Sequence, residues 1–285
     1  PDREAVRRLM AMLGALPVPA LIAPGNHDYY RPGGLWDLAF LPDNVTIFKE
    51  NALAARPISG LPVTVWGYAF TEEACSSPVL GRAADREEGQ THILLAHADL
   101  ISPLSSYAPI SAGQLEVTGF AYAALGHIHK PMKVGSETLR YCGTPMPYSL
   151  SEENQQKGIL MVEMGAKGDV QTTVLPLHPV HQVRKLRATR EALLSGASED
   201  FVSICVTGAE ATEMVGLREL LRERYPNLLE LRREEKETVE LAALQERAET
   251  LSPYELCLQF AGERLNAEEK ALLTEVMNAM KEENA

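Results

Sequence analysis

The chain has 285 residues, of which 45% are hydrophobic and 23% charged, and its formal net charge is -12. That composition belongs to a globular protein of about two domains, and the acidic balance excludes a protein that coats nucleic acid by bulk charge, so any phosphate it handles needs metal help, although a local basic face stays open. Cys75, Cys142, Cys205 and Cys257 are widely spaced with no Cys-x-x-Cys pair, which excludes a zinc knuckle and a disulfide framework and fits a reducing cytoplasm.

The first predicted element is a helix, because Ala5, Val6, Leu9, Met10, Leu13 and Leu16 recur at helical spacing. The apolar run Val18 to Ile22 reads as a strand and leads into Ala23-Pro24-Gly25-Asn26-His27-Asp28-Tyr29. Taken alone, that stretch is a loop, since Pro-Gly and Asn form turns and Asn and Asp side chains bond their own backbone. Short β-rich runs follow at Val45 to Phe48, Val63 to Tyr68, His92 to Ala96, Ala121 to Leu125, Leu139 to Cys142, Gly158 to Met164 and Val170 to Leu175, separated by Gly, Pro and Asn. This order predicts an α/β fold, a sandwich of two sheets covered by helices that ends near Pro176 or Pro179 and occupies residues 1–178.

After Leu177-His178-Pro179-Val180-His181 the texture changes. Phe201 to Val206 reads as a strand, Ala211 to Arg224 as a helix and Leu228 to Leu231 as a strand, so residues 179–250 form a small β-α-β domain. Two helices are expected in residues 251–285. Ser252-Pro253-Tyr254-Glu255 opens the first with a cap, a proline and a capping-box glutamate, and Gly262 stops it. Asn266 and Glu269 cap the second, which runs to Met280. With no signal peptide and no bilayer-length apolar run, the expectation is a cytoplasmic protein without membrane contact.

Lone-pair donors sit at the ends of the apolar runs. His97 closes Ile93-Leu94-Leu95-Ala96, at a strand's carboxyl end, where open α/β sheets gather ligands; standing alone it also reads as a satisfied core histidine. In Ala124-Leu125-Gly126-His127-Ile128-His129 two histidines lie two apart, which in extended chain points them to one face. Imidazole is a common metal donor, and Gly126 allows close backbone approach; a surface pair in a loop is the plainer alternative. His92, His178 and His181 belong to no such pattern and are read as structural.

In order, Gly-Asn-His-Asp, Ala-His and Gly-His-x-His resemble the signature of the calcineurin-like metallophosphoesterases, in which a hydroxide bridging two divalent cations attacks phosphorus. The resemblance implies that Asn26 is a neutral oxygen ligand to one metal, that His97 and His127 complete its shell, and that His129 serves the other metal. It also implies that His27 stabilises or protonates the leaving alkoxide and that Asp28 orients His27. Manganese is the favoured ion of the pair; magnesium, iron or zinc fit the same donors.

Tyr141-Cys142-Gly143-Thr144-Pro145, then Glu152 and Glu153, then Lys157-Gly158-Ile159-Leu160-Met161-Val162-Glu163, look like the closing strands of SbcD-type DNA exonuclease subunits. Thr144 stands where a small Ser is usual. Tyr225-Pro226-Asn227-Leu228-Leu229-Glu230-Leu231-Arg232 and the Ser252 to Met280 helices are similar too, so the likeness covers nearly the full chain. It implies DNA repair and recombination, a nuclease domain over residues 1–178, a capping domain over 179–250, and homodimers joined to an SbcC-like coiled-coil ATPase in a heterotetramer. The helices Pro253 to Gly262 and Ala267 to Met280 are then docking elements or an ordinary helical cap, and the basic run Arg184 to Arg190 a phosphate contact or a solvated face.

One departure bears on activity. The family pattern opens with Asp-x-His on a strand and then Gly-Asp-x-x-Asp, and neither is present, so the first βαβ unit and three expected ligands are missing, the bridging carboxylate among them. The expectation is a fragment that binds at most one metal ion and does not hydrolyse DNA alone. A calcineurin-like phosphatase or nucleotidase, and a truncated non-catalytic scaffold, remain as alternative readings.

Overall fold

The computed structural model describes residues 2–38, 40–76, 80, 89–165, 169–209, 211–234, 266, 269–270 and 272–274. Its first element, α1 (Arg3–Gly14), is capped by Asp2, whose carboxylate accepts from Ala5 N at 2.7 Å. Val6 and Met10 face inward and pack with Trp36, Val45 and Ile47, so α1 covers the parallel pair β1 (Ala20–Ile22) and β2 (Val45–Ile47).

The larger sheet has six strands in the order β3 (Ala54–Pro57), β4 (Val63–Gly67), β5 (Thr91–His97), β6 (Tyr122–Gly126), β8 (Ser136–Tyr141), β7 (Met132–Val134). The four central strands are parallel, and β3 and β7 close the edges antiparallel. The burial alternation of β5 puts Leu94 and Ala96 into the core with Tyr68, Phe70, Ala123, Leu125 and Tyr141. Between β5 and β6, α2 (Ala112–Glu116) begins with a capping box of Ser111 and Gln114. The register pairs His97 with Gly126, so β5 and β6 end side by side.

Beyond this sheet, β9 (Gly158–Met164) and β10 (Val170–Pro176) form an antiparallel pair. A third group, β11 (Val183–Ala188), β12 (Phe201–Val206) and β13 (Leu228–Arg233), is parallel throughout, its crossovers carrying α3 (Arg190–Ser195) and α4 (Leu217–Arg222). These elements bury a core of their own around Val202, Ile204, Val206, Leu217 and Leu221.

The architecture is mixed α/β with several sheets, and three differences from the sequence reading have physical causes. Strand β11 absorbs most of the basic run Arg184 to Arg190: its charged residues are exposed while Val183 is buried, a pattern that charge had masked. The predicted helix Ala211 to Arg224 splits into a 3₁₀ turn (Ala211–Met214) and α4, because Gly216 takes a left-handed φ of 68°. Strands β3 and β7 lack a long apolar signal and form by pairing onto their neighbours.

Of the two predicted terminal helices, the one from Pro253 to Gly262 lies outside the described residues. The second shows its cap: Asn266 Oδ1 accepts from Glu269 N at 3.0 Å and Glu269 Oε2 accepts from Asn266 N at 2.8 Å. Among the described residues no helix is long and apolar enough to cross a membrane, and Cys75, Cys142 and Cys205 form no disulfide.

Two fully buried phenols anchor the chain where it leaves β5. Tyr68 donates to His97 O at 2.6 Å, and Tyr141 donates to Ala98 O at 2.7 Å while accepting from Leu100 N at 2.9 Å. Burial pushes both hydroxyls up, that of Tyr141 to about 12, so they remain donors at neutral pH. Tyr141→Phe leaves Ala98 O and Leu100 N without this partner and should cost about 1–3 kcal/mol, read by denaturant unfolding; wild-type stability in this variant would show that the hydroxyl holds nothing.

Candidate metal centre

The loop after β1 and the carboxyl ends of β5 and β6 meet at His97. A methyl group built on Gly25 would lie 2.5 Å from His97 Nδ1, and one on Gly126 would lie 3.2 Å from it. Only bare backbone on both sides admits the ring. Phe70 packs edge-on against it at 5.3 Å between centroids, and His127 does so at 5.2 Å. Among the described residues His97 Nε2 is buried with no hydrogen-bond partner, a state it shares with His92 Nε2 and that a bound water or ion would relieve.

Strand β6 ends at Gly126, and His127 has a φ of 105°, a sparsely populated conformation for a residue with a side chain. The extended backbone that would point His127 and His129 to one face therefore stops before them. His127 Nε2 lies 3.5 Å from Asp99 Oδ2, and its ring leans on Tyr107. His129 Nδ1 lies 2.8 Å from Glu152 Oε1, and its ring leans on Tyr148.

Of the Gly25 to Asp28 loop, Asn26 is buried, His27 is exposed and Asp28 is half-buried. Asp28 Oδ1 accepts from Gly25 N at 2.8 Å, closing the loop, and the Asp28 carbonyl accepts from Trp36 Nε1 at 2.6 Å. The carboxylate thus acts on the backbone that carries His27. Burial raises the Asp28 carboxyl, opposed by the Gly25 N–H.

The electrostatics tie the three motifs together. His97 is pushed down to about 4, by burial first and then by His127, His27 and His129. His127 is lowered by burial, which the Asp99 carboxylate opposes. Burial alone would raise Asp99, but the N–H groups of Ser102 and Ile101, the Ser105 hydroxyl and His127 hold it below its ordinary value. Glu152 falls to about 2: burial opposes the shift, and Lys157, His129 and the Tyr148 N–H overcome it. Asp99 and Glu152 act here without having been singled out as site residues. Their signal was modest, an acid two residues after His97 and an acid in the closing-strand motif. His92 sits at the other end of β5, where its Nδ1 accepts from Trp66 Nε1 at 3.1 Å.

Donor chemistry fits a divalent cation: Asn26 offers an amide oxygen, His97 and His127 offer imidazoles, and His97 Nε2 has no hydrogen-bond partner among the described residues. Among the described residues no three His, Cys, Asp or Glu side chains already converge as a metal cage. The histidines instead stand in pairs, each of His127 and His129 with its own carboxylate. A separate cavity of about 1180 Å³ lies between α1 and the segment 34–44, lined in part by Arg7, Met10, Leu38 and Phe40. It contains none of these residues, and chemistry rather than volume marks the site.

No protein-family model matches the chain. It is 25% identical over 116 residues to the SbcD subunit of the SbcCD nuclease of Staphylococcus epidermidis, an alignment that covers 38% of this chain and 31% of that protein. The chain therefore matches less than a third of that relative's length, a distant SbcD-like relationship.

The depressed His97 has a direct consequence for metal-free protein. Its native imidazole takes up a proton less readily than the unfolded one, whose ordinary value is 6.5. The stability it contributes is complete above that value and is lost as pH falls towards about 4. Unfolding free energy should therefore drop across this interval, and His97→Gln should flatten the drop. A variant profile parallel to that of wild type would rule out His97 as the titrating group.

Proposed function

We propose that this chain is a metal-dependent DNA nuclease subunit of SbcD type, hydrolysing phosphodiester bonds in repair and recombination as an exonuclease and endonuclease. The observation that carries the reading is His97, whose Nε2 is buried without a partner among the described residues and whose ring packs edge-on against that of His127, with His27 and His129 near enough to lower it electrostatically. Imidazoles set close together at the ends of strands are donors that a cation can use. The distant similarity to a component of the SbcCD nuclease turns this chemistry towards DNA.

In this reading Asn26, His97 and His127 hold one divalent ion and His129 serves a second, with manganese favoured and magnesium, iron or zinc accepted by the same atoms. Bound there, the cations supply Lewis acidity that activates water and offsets charge on the phosphate oxygens. The protein's own groups do the positioning and the proton transfer. His27, exposed beside buried Asn26, hands a proton to the leaving alkoxide. Asp28 places it by closing the Gly25 to Asp28 turn. Asp99 orients His127 from the loop that Tyr68 and Tyr141 anchor.

The further assignments follow from the same reading. Residues 1–178 are the nuclease domain, residues 179–250 cap it, and residues 251–285 dock an SbcC-like coiled-coil ATPase, with two copies of this chain in the assembly. On β11, exposed Lys185 offers a phosphate contact along the DNA, joined by Arg184 and Arg187 if they leave their pairs with Asp200 and Glu234.

Because the donors named are neutral, two adjacent dications lack the negative charge that makes their proximity tolerable. Manganese titration of this chain should therefore find at most one ion, weakly held and weakened in His97→Ala by more than the roughly 10–100-fold that losing an outer-shell partner costs, with no hydrolysis of linear double-stranded DNA by the chain alone. In any preparation where wild type is active, His27→Ala should abolish turnover and leave manganese binding unchanged. Two tightly bound ions would show that the ligands are misplaced, and full activity of His27→Ala would overturn the assignment; hydrolysis confined to phosphomonoesters would move it to the phosphatases.

A further inference from the structure

Glu152 and Lys157 form an ion pair sealed from solvent, with side chains 5% and 1% exposed and Oε2 to Nζ at 2.6 Å. Burying two charges is costly unless every lone pair and proton is satisfied. Here they are: besides Glu152, Lys157 Nζ has Thr144 Oγ1 at 2.9 Å, Gln155 Oε1 at 2.9 Å and His129 O at 3.1 Å, more than enough acceptors for its three N–H bonds. Glu152 Oε2 accepts from Tyr148 N at 3.3 Å, and Oε1 accepts from Ser149 Oγ at 3.3 Å.

The pair therefore grips His129 twice. Lys157 holds its carbonyl, which also accepts from Thr144 N at 3.2 Å, and Glu152 Oε1 meets its Nδ1 at 2.8 Å. Gly143, with a φ of 80°, lets that backbone close in: a methyl group there would lie 2.8 Å from His129 O. A carboxylate accepts and cannot donate, so the proton between Glu152 and His129 belongs to Nδ1, and a neutral ring then carries its lone pair on Nε2.

We propose that Glu152 and Lys157 are a positioning pair that fixes His129 in the Nδ1–H tautomer and presents Nε2 as an electron-pair donor. The use of that lone pair for a cation rests on the function proposed above; the tautomer itself does not. Lys157 sets the polarity of the arrangement, because its ammonium demands an acceptor at the Oε2 position. In Glu152→Gln the amide oxygen accordingly turns to Lys157 and the amide NH₂ faces Nδ1. That reverses the hydrogen bond and moves the ring proton to Nε2.

The test is ¹⁵N-resolved NMR of the histidine rings in metal-free protein at a pH where His129 is neutral. Wild type should show His129 as the Nδ1–H tautomer, and Glu152→Gln should shift it to Nε2–H without changing the tautomer of His92, whose Nδ1 accepts from Trp66. A purely structural pair would weaken folding and leave the tautomer alone. His129 found as Nε2–H in wild type overturns the proposal, and that spectrum needs no variant to fold. So does an unchanged Nδ1–H tautomer in folded Glu152→Gln. The spectrum is read without metal, so a failure to bind manganese counts against the nuclease reading and not against this pair.

Discussion

The structure turns on one half-buried imidazole whose Nε2 is shut away from solvent. His97 fills the gap between Gly25 and Gly126, its Nδ1 edge against bare backbone and its Nε2 without a partner among the described residues. That placement joins parts that are distant along the chain: the loop after β1, the end of β5 and the end of β6. A side chain on Gly25 would collide with the ring, and one on Gly126 would press on it by a few tenths of an ångström. The same wedging desolvates the ring and so keeps it neutral, which is the state in which an imidazole donates a lone pair.

Beside Phe70, which packs on this ring, the protein spends buried polar groups. Tyr68 and Tyr141 bond the chain just past β5, and Asp99 from that segment faces His127. His127 accepts a left-handed φ to reach it. Backbone strain held by surrounding bonds is the arrangement expected where side-chain direction matters more than local comfort. The Glu152 and Lys157 pair extends the same logic to His129, whose ring and carbonyl are both fixed from one buried charge pair. Hydrogen-bonded partners of this kind orient metal ligands in general.

Much of this was legible in the residues because the signals were local. Ile93-Leu94-Leu95-Ala96 announced β5, and the burial alternation of that strand left His97 at its end. Asn266 and Glu269 announced a capping box that is present. What could not be read was long-range. The Glu152 contact to His129 joins residues 23 apart and depends on where the 3₁₀ turn Leu150–Glu152 lands. The left-handed turn at His127 is likewise a tertiary outcome, since nothing in Gly-His-Ile-His forbids extended chain. Strand β11 was hidden for the opposite reason: its arginines and lysine are exposed strand positions that read as a charge run.

Whether His27, His97, His127 and His129 serve one metal centre is tested most directly by manganese-induced line broadening in NMR spectra of all seven histidine rings. These four should broaden together at low manganese while His92, His178 and His181 stay sharp. Broadening led by His92, His178 or His181, or equal across the seven, would refute a shared centre.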